Sequence, residues 1–374
     1  MEENCDHPAR RGRTVMGRSA FPNRSWLGVL LLTATSPLLQ AADEKEAART
    51  QTAIAHGLEW LAKTQQKDGS WVLATEPNLV GGAVAVVTKE PNRPSFARRV
   101  AGTTLAVLPF LLAGYTHQEG AFKEVVSKGL KQITDAIKID GHGPDTADWA
   151  GMYTHGLSTI ALCKAYGRTK DPKLRGAGHA AVDFIVFSQD PRGGGWRYFP
   201  GDAGDTSVLG WQFTALKMAQ DAGLKVPSST FAGATKFLNS IQTDDGSAYY
   251  YLPYLKKRGD TPGPATTAIG LLCRTYLDWD RTTPALRKGV DKILASGPLD
   301  NIYFNYYATR LMHRYGGDEW RKWRGVMMER LIVTQDKTGP AAGSWFSTKD
   351  EWKYYLDRLG ITALSLMTLE IGLE

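Results

Sequence analysis

The sequence contains little cysteine, with three residues among 374. Cys163 and Cys273 each follow an apolar run, IAL and GLL respectively, and Cys5 lies near the N-terminus. A small thiol in an apolar run is typical of a buried core position. We expect Cys163 and Cys273 to be buried, and a disulfide between them is disfavoured because the repeats described below place them two helix pairs apart.

Blocks of like charge are also missing. The formal net charge is +7, part of which comes from arginines near the N-terminus, and both signs are interspersed over the rest of the chain. Nucleic-acid binding usually requires a basic patch or stripe, so nucleic acid is not an expected partner. Weak peripheral contact with an anionic membrane surface stays open.

Long apolar runs are absent apart from Trp26–Leu39, which follows an arginine-rich segment and precedes small residues. This order is typical of a secretory signal peptide, and the run is short for a membrane span. We predict that residues 1–42 form the signal region and that residues 43–374 are exported to the periplasm or beyond the cell. Met1 or Met16 could be the true start, and an uncleaved anchor is the alternative.

A turn motif recurs four times along the chain. It consists of an apolar helix, a glutamine, three or more residues, a glycine, one residue and an aromatic side chain. We expect the glutamine to bond the loose carbonyls of the last helical turn and the amides of the next helix, and the indole to stack on the glutamine amide, so that each copy joins successive helices. The copies are Gln65 with Trp71, Gln189 with Trp196, the degenerate Gln242 followed by three tyrosines, and Gln335 with Trp345.

Two kinds of helix alternate between these turns. One kind is apolar nearly all round and rich in Gly, Ala, Thr and Leu, and the other is more polar; the first is expected to be buried beneath the second. The predicted fold is therefore an all-α (α/α)6 toroid, or barrel. Its inner helices are predicted at 101–115, 152–167, 205–222, 264–277, 301–315 and 358–373, and its outer helices at 46–66, 121–138, 173–189, 229–242, 284–296 and 319–335. Residues 74–99 and 249–264 are candidate loops.

The Gln–Gly–Trp repeats and the small-residue helices between them resemble the QW motifs of the squalene cyclase and protein-prenyltransferase superfamily. The resemblance covers nearly the whole chain after residue 46, and segment 152–220 is similar to exported members described as prenyltransferase and squalene-oxidase repeat proteins. It implies a terpenoid cyclase-like toroid and, as possible activities, cyclisation or transfer of an isoprenoid.

Class II cyclases of this superfamily carry a D-x-D-D-T-A motif whose central aspartate protonates an alkene or epoxide. The best match is the segment DAGDTS, which keeps Asp202 and Asp205 as candidate catalytic carboxylates but places Gly204 at the proton donor. A glycine cannot donate that proton, so the resemblance argues against ordinary squalene-type cyclisation. A weaker match, DTAD, lies at 145–148.

Prenyltransferases of the superfamily bind zinc through Asp, Cys and His. Here Cys163, Cys273, His155 and His313 fall on predicted inner helices, yet no Asp-x-Cys pair opens a helix and no two ligands have close metal spacing. Neither a metal nor a cofactor is predicted.

Aromatic residues on the predicted inner helices are candidates for a ligand cavity, and they could stabilise a carbocation by cation–π contact. The candidate ligand-binding residues are Trp211, Tyr303, Phe304, Tyr306, Tyr307 and His155.

Three functions stay open at this point. The first is a toroid that binds an apolar or isoprenoid ligand, or a protein partner, without the cyclase proton donor. The second is a non-standard terpenoid cyclase-like enzyme that uses Asp205. The third is a carbohydrate-active enzyme that uses Asp202 with Asp205, or His155 with Tyr153. A dry aromatic funnel containing Asp205 would favour the second, a filled centre the first, and an open groove with paired carboxylates and arginine the third.

Overall fold

The computed structural model describes residues 37–73, 96–137 and 151–373. The chain divides into two compact units, Met1–Asp43 and Glu44–Glu374, and the second contains the architecture described below. The predicted signal region up to residue 36, most of the candidate loop at 74–99, and the DTAD segment lie outside the described residues.

The described residues form thirteen α-helices, and the predicted all-α toroid is confirmed. The outer layer consists of α1 (Pro37–Thr64), α3 (Lys123–Ala136), α5 (Pro172–Phe187), α7 (Ser228–Ile241), α10 (Pro284–Ser296) and α12 (Gly317–Thr334). The inner layer consists of α2 (Phe96–Leu112), α4 (Gly151–Thr169), α6 (Thr206–Ala222), α9 (Pro264–Thr275), α11 (Ile302–Tyr315) and α13 (Lys353–Ile371).

Burial separates the two layers as the sequence pattern predicts. Helix α3 buries one stripe, with Val126, Leu130 and Ile133 at helical spacing. Helix α4 buries almost every residue from Gly151 to Cys163. A helix that is apolar on all sides must be covered on all sides, which places α4 inside the layer that α3 belongs to.

The inner helices form a closed ring. Each packs against the next in the order α2, α4, α6, α9, α11 and α13, and α13 packs back against α2. Within the described ranges, no helix combines the length and the apolar character that a membrane span requires.

The turn motif ties neighbouring outer helices together. In the last copy, the Gln335 amide donates to the carbonyl of Gly343 in its own turn (2.9 Å) and to that of Ala53 in α1 (2.8 Å). The Trp345 indole N–H donates to Leu331 O in α12, 2.7 Å away. The turn after α12 is therefore bonded to α1, which joins the two ends of the outer layer.

The first two copies repeat these bonds. The Gln65 amide donates to Val125 O in α3 and the Gln189 amide to Thr230 O, which lies in α7, both over 2.9 Å. The indoles of Trp71 and Trp196 donate to carbonyls at the ends of their own outer helices, Leu61 and Ile185. The glutamines thus meet carbonyls of the next outer helix, whereas we expected its amides.

The third copy replaces the indole with a buried tyrosine. The Arg274 guanidinium donates to the Tyr249 hydroxyl over 3.0 Å and to the Gln242 amide oxygen over 2.8 Å. The Tyr249 backbone N–H donates to the Thr267 hydroxyl over 3.2 Å, as that of Trp71 does to the Thr103 hydroxyl over 3.0 Å, so tyrosine takes the position of tryptophan in this copy.

Four elements differ from the sequence expectation. Helix α2 begins at Phe96, whereas we expected a start at 101. Helix α1 begins at Pro37, inside the predicted signal region, whereas we expected a start near 46. A short helix, α8 (Pro253–Arg258), occupies part of the expected loop at 249–264, because Pro253 starts it and Gly259 ends it in a left-handed conformation. Helix α13 is interrupted at Asp357, so its regular inner segment starts near the expected residue 358.

Candidate functional site

A cavity of about 90 Å³ lies among the inner helices. Its lining comes from five of the six, mostly from their N-terminal halves, so it sits near the axis at the end of the ring where the inner helices begin. The lining residues are Leu73, Ala101, Leu105, Tyr153, Thr154, Leu157, Trp211, Tyr303, Trp352, Tyr355, Leu356 and Leu364.

An aromatic cluster forms one side of the cavity wall. Trp211 stacks on Tyr306 with 5.5 Å between ring centroids and makes edge contacts with Tyr303 and Tyr307. Tyr303 also stacks on Trp352 at 4.6 Å. The structure therefore brings together four of the sequence-predicted ligand residues: Trp211 and Tyr303 line the cavity, and Tyr306 and Tyr307 pack behind them.

Two predicted ligand residues do not reach the cavity. Phe304 packs edge-on against Trp323 of α12. The His155 Nε2–H donates to Ala181 O in α5, and burial lowers the pKa of His155 to about 4. Both side chains face the outer layer. Phe304 directly follows Tyr303, and successive side chains on a helix differ in direction by roughly 100°. This difference is enough to direct Tyr303 toward the ring axis and Phe304 toward the outer layer.

Nine of the twelve lining residues were missed by sequence reasoning, which named Tyr153, Trp211 and Tyr303 alone; Thr154, Leu157 and Trp352 are among the nine. The available signal was helical spacing: Leu157 lies three residues after Thr154 on α4, as Leu105 lies four after Ala101 on α2. Choosing the axial face required knowing the rotation of each helix.

Asp205 is fully buried and begins α6 as its N-cap. Its Oδ1 accepts hydrogen bonds from the Val208 backbone N–H (2.9 Å) and the Ser207 hydroxyl (2.7 Å). Its Oδ2 accepts a longer bond from the Tyr251 hydroxyl and lies 3.6 Å from Arg197 Nε. Burial raises the pKa of this carboxyl above its ordinary value, although these donors and the guanidinium oppose the shift.

A chain of hydroxyls joins Asp205 to the cavity. Ser207 gives its only hydroxyl proton to Asp205, so Tyr153, 2.5 Å from Ser207 Oγ, must donate to Ser207. Tyr153 in turn lines the cavity, and its pKa is raised well above the ordinary value by burial and by the charge of Asp205. Asp205 is thus absent from the cavity wall but connected to it through two hydroxyls.

Asp202 occupies a different environment. Its carboxylate accepts a hydrogen bond from the Phe199 N–H in its own turn, 3.2 Å away. Across the described ranges, no hydrogen bond or ion pair joins Asp202 to Asp205, so the two do not form a carboxylate pair. Gly204, between them, packs so closely that an added Cβ would lie 2.6 Å from Gly195 Cα. A larger residue at 204 would not fit this turn.

Cys163 and Cys273 are buried and unpaired, as expected. Burial raises the pKa of both thiols to about 12, so neither is a ready thiolate at neutral pH.

Neither a protein-family model nor a curated protein matches the sequence. Among solved structures, the chain is similar to a variant of the type II terpene cyclase MstE from Scytonema, with 14% identity, a TM-score of 0.55, and coverage of 88% of this chain and 98% of that one. It is similar to the α-1,6-mannanase GH76A of Salegentibacter, with 8% identity, a TM-score of 0.57, and coverage of 87% and 100%. It is also similar to an unsaturated glucuronyl hydrolase from Streptococcus agalactiae, with 14% identity, a TM-score of 0.58, and coverage of 88% and 92%.

Likeness at such low identity extends to the fold alone, because one fold serves many chemistries. The chain has an α/α toroid, a fold that it shares with a type II terpene cyclase, an α-1,6-mannanase and an unsaturated glucuronyl hydrolase.

Proposed function

We propose that the protein binds an apolar, isoprenoid-like ligand in the cavity near the axis of its ring. The observation that carries this proposal is the cavity wall, where leucines and the rings of Trp211, Tyr303 and Trp352 surround the space. An apolar concave site with a few polar groups is the usual form of a small-molecule site. In the same fold, MstE has been seen in complex with geranylgeranyl dihydroxybenzoate.

The size of the cavity limits what it can enclose. Its volume of about 90 Å³ is smaller than the roughly 150 Å³ that holds benzene in an engineered protein core. It can therefore enclose one branched five-carbon unit, and the rest of a longer chain would have to extend outside it. Repeated five-carbon units are the hallmark of isoprenoids, which favours this class among apolar ligands.

A carbohydrate substrate is less well supported. Glycoside hydrolysis generally requires two carboxyl groups that flank the bond to be broken. Among the described lining residues of the cavity there is no carboxylate. The Asp202 carboxylate accepts from the Phe199 N–H and the Asp205 carboxylate from the Val208 N–H, so the two do not face each other as a pair.

Filling the cavity should weaken binding. Ala101→Leu adds three carbon atoms at the wall, and we expect its Kd for geranylgeraniol to rise about tenfold or more, since overpacking costs roughly 1–3 kcal/mol. Titration can be followed by tryptophan fluorescence, because Trp211 and Trp352 lie in the wall. Ala48→Leu, on the exposed side of α1, is the matched control and should bind like the unaltered protein. The proposal would be contradicted if the unaltered protein did not bind geranylgeraniol, or if Ala101→Leu bound it with unchanged affinity.

Proton transfer to the bound ligand is a second candidate function, favoured by the hydroxyl chain. When Asp205 is protonated the direction of this chain reverses, because Asp205 can then donate to Ser207, which frees the Ser207 proton for Tyr153 and the Tyr153 proton for a carbon of a double bond. Return of a proton from a neighbouring carbon along the same chain completes an isomerisation without a co-reactant.

This second function predicts deuterium incorporation. Geranylgeraniol incubated with the protein in D₂O should acquire carbon-bound deuterium, measured by mass spectrometry. Tyr153→Phe and Asp205→Asn should lose this incorporation because each breaks the chain, whereas Asp202→Asn should retain it. Unlabelled ligand after incubation with the unaltered protein, or full labelling by Tyr153→Phe, would reject the enzyme hypothesis and leave binding as the function.

A further inference from the structure

Arg310 is a buried positive charge on the inner helix α11. Its exposed fraction is 9%, and no carboxylate of the described residues forms an ion pair with its guanidinium. The titratable side chains that act on its charge are the tyrosines 276, 306 and 307. Buried charges in proteins are usually paired with a charge of opposite sign. Arg310 lacks such a partner in the part of the chain that the structure describes.

Arg310 points into the ring, beyond the aromatic cluster that borders the cavity. Its Nη1 donates to the Thr214 hydroxyl on α6, which is separated from α11 by α9 in the ring order, so the side chain crosses the interior. Arg310 follows Tyr303 by two helical turns, which places it on the same face and about 10 Å further along α11. The Tyr306 ring lies between the two sites, because it stacks on Trp211 and also contacts the Arg310 guanidinium.

The surroundings of Arg310 offer hydrogen-bond donors without matching acceptors. Its Nη1 donates to the hydroxyls of Thr214 (2.9 Å) and Tyr306 (3.4 Å), and its Nη2 to that of Tyr276 (2.8 Å). A guanidinium has five N–H groups, so the Nε–H and one Nη2–H have no partner among the described residues. The Nε is not closed off from solvent. The Tyr276 hydroxyl accepts from Arg310, and its own proton has no acceptor within the described ranges.

We propose that Arg310 and Tyr276 bind the carboxylate group of a small molecule, at a site separate from the apolar cavity. A carboxylate accepts two parallel N–H bonds from one guanidinium, and its remaining lone pairs suit the Tyr276 hydroxyl. It also carries the single negative charge that Arg310 lacks. The guanidinium of the exposed Arg314 lies over the Tyr276 ring, 4.1 Å from its centroid, and adds positive potential beside the site. Because Arg310 has only a small exposed fraction, the site favours a compact monocarboxylate over a bulky anion.

Acetate is a suitable probe for this site. We expect sodium acetate at about 100 mM to raise the melting temperature of the unaltered protein by about 2 °C, relative to sodium chloride at equal ionic strength, because a ligand of the folded state stabilises it. Arg310→Gln should lose this rise. Arg175→Gln, at an exposed position on the outer helix α5, is the matched control and should keep it.

A second variant separates recognition from structure. Tyr276→Phe keeps both Arg310 and the aromatic ring and removes only the hydroxyl. We expect its Kd for acetate to rise about fivefold, the effect of one hydrogen bond. Titration can be followed by tryptophan fluorescence, because the Tyr306 ring contacts both Trp211 and the Arg310 guanidinium.

Each outcome decides the inference. Equal melting temperatures of the unaltered protein in acetate and in chloride would reject it, and the partial negative charge at the C-terminal ends of the inner helices would then balance Arg310. An equal rise in phosphate would show binding of anions in general and overturn the carboxylate assignment. The inference also fails if Arg310→Gln keeps the rise in acetate. If Arg310→Gln does not fold, Tyr276→Phe decides, and an unchanged Kd rejects the site. None of these results depends on whether geranylgeraniol binds in the cavity.

Discussion

Trp196→Ala should lower the free energy of unfolding by about 3–5 kcal/mol, as large aromatic truncations in protein cores do. Trp196 is fully buried in the turn after α5, and its indole N–H donates to Ile185 O over 2.7 Å. Its backbone carbonyl also accepts from the N–H of Asp205, over 2.9 Å. Removing the ring leaves a void between this turn and α5, and the Ile185 carbonyl loses the indole N–H that bonds it.

Two further variants separate the ring from its hydrogen bond. Trp196→Phe keeps most of the apolar volume but loses the donor, so we expect a loss of roughly 1–3 kcal/mol. Phe187→Ala alters an aromatic residue that is 69% exposed at the end of α5, and its effect should stay within about 0.5 kcal/mol. Denaturant unfolding measures all three. Equal midpoints for Trp196→Ala and Phe187→Ala would show that the indole does not hold the turn.

The two-layer fold was predictable because burial follows a local pattern. An apolar surface on every side of α4 and a single stripe on α3 are visible within one helix each, and alternation along the chain then assigns the layers. The recurring turn motif supplied the repeat. The partners of its glutamines were not predictable, since Gln335 bonds Ala53, 282 positions away, and only the closed ring brings them together.

The candidate site was only partly predictable, because the rotation of each helix decides which side chain faces the axis. Tyr303 and Phe304 are adjacent and aromatic, yet one lines the cavity and the other contacts α12. Thr154 carried no signal beyond its position on an inner helix.

The carboxylate motif gives a similar lesson. Asp205 was recognised at a helix start, where an N-cap and a catalytic acid have the same sequence signature. The structure shows the capping bonds to Ser207 and Val208, and it shows the hydroxyl chain that leads to Tyr153. Neither could be deduced from DAGDTS, because Tyr153 comes from a different inner helix.

Gly343→Ala should cost roughly 2–4 kcal/mol, a large effect for a single methyl group. Gly343 has φ +94°, a left-handed value that favours glycine, and an added Cβ would lie 2.4 Å from His56 O in α1. The methyl group would push the turn away from α1. Gln335, which bonds both Gly343 and Ala53, would then lose one of its two carbonyls.

Gly246→Ala is the matched control for this closure. Gly246 also has a left-handed φ, +72°, but its added Cβ would meet the Ala285 side chain at 3.2 Å, where a small shift relieves the contact. Gly246→Ala should lower the free energy of unfolding by about 1–2 kcal/mol, which is the cost of placing alanine in a left-handed conformation. The difference between the two variants, measured by denaturant unfolding, reports the contact that joins α12 to α1. Equal losses of unfolding free energy would show that the contact between α1 and the turn after α12 does not stabilise the protein. Closure of the ring would then depend on the inner helices.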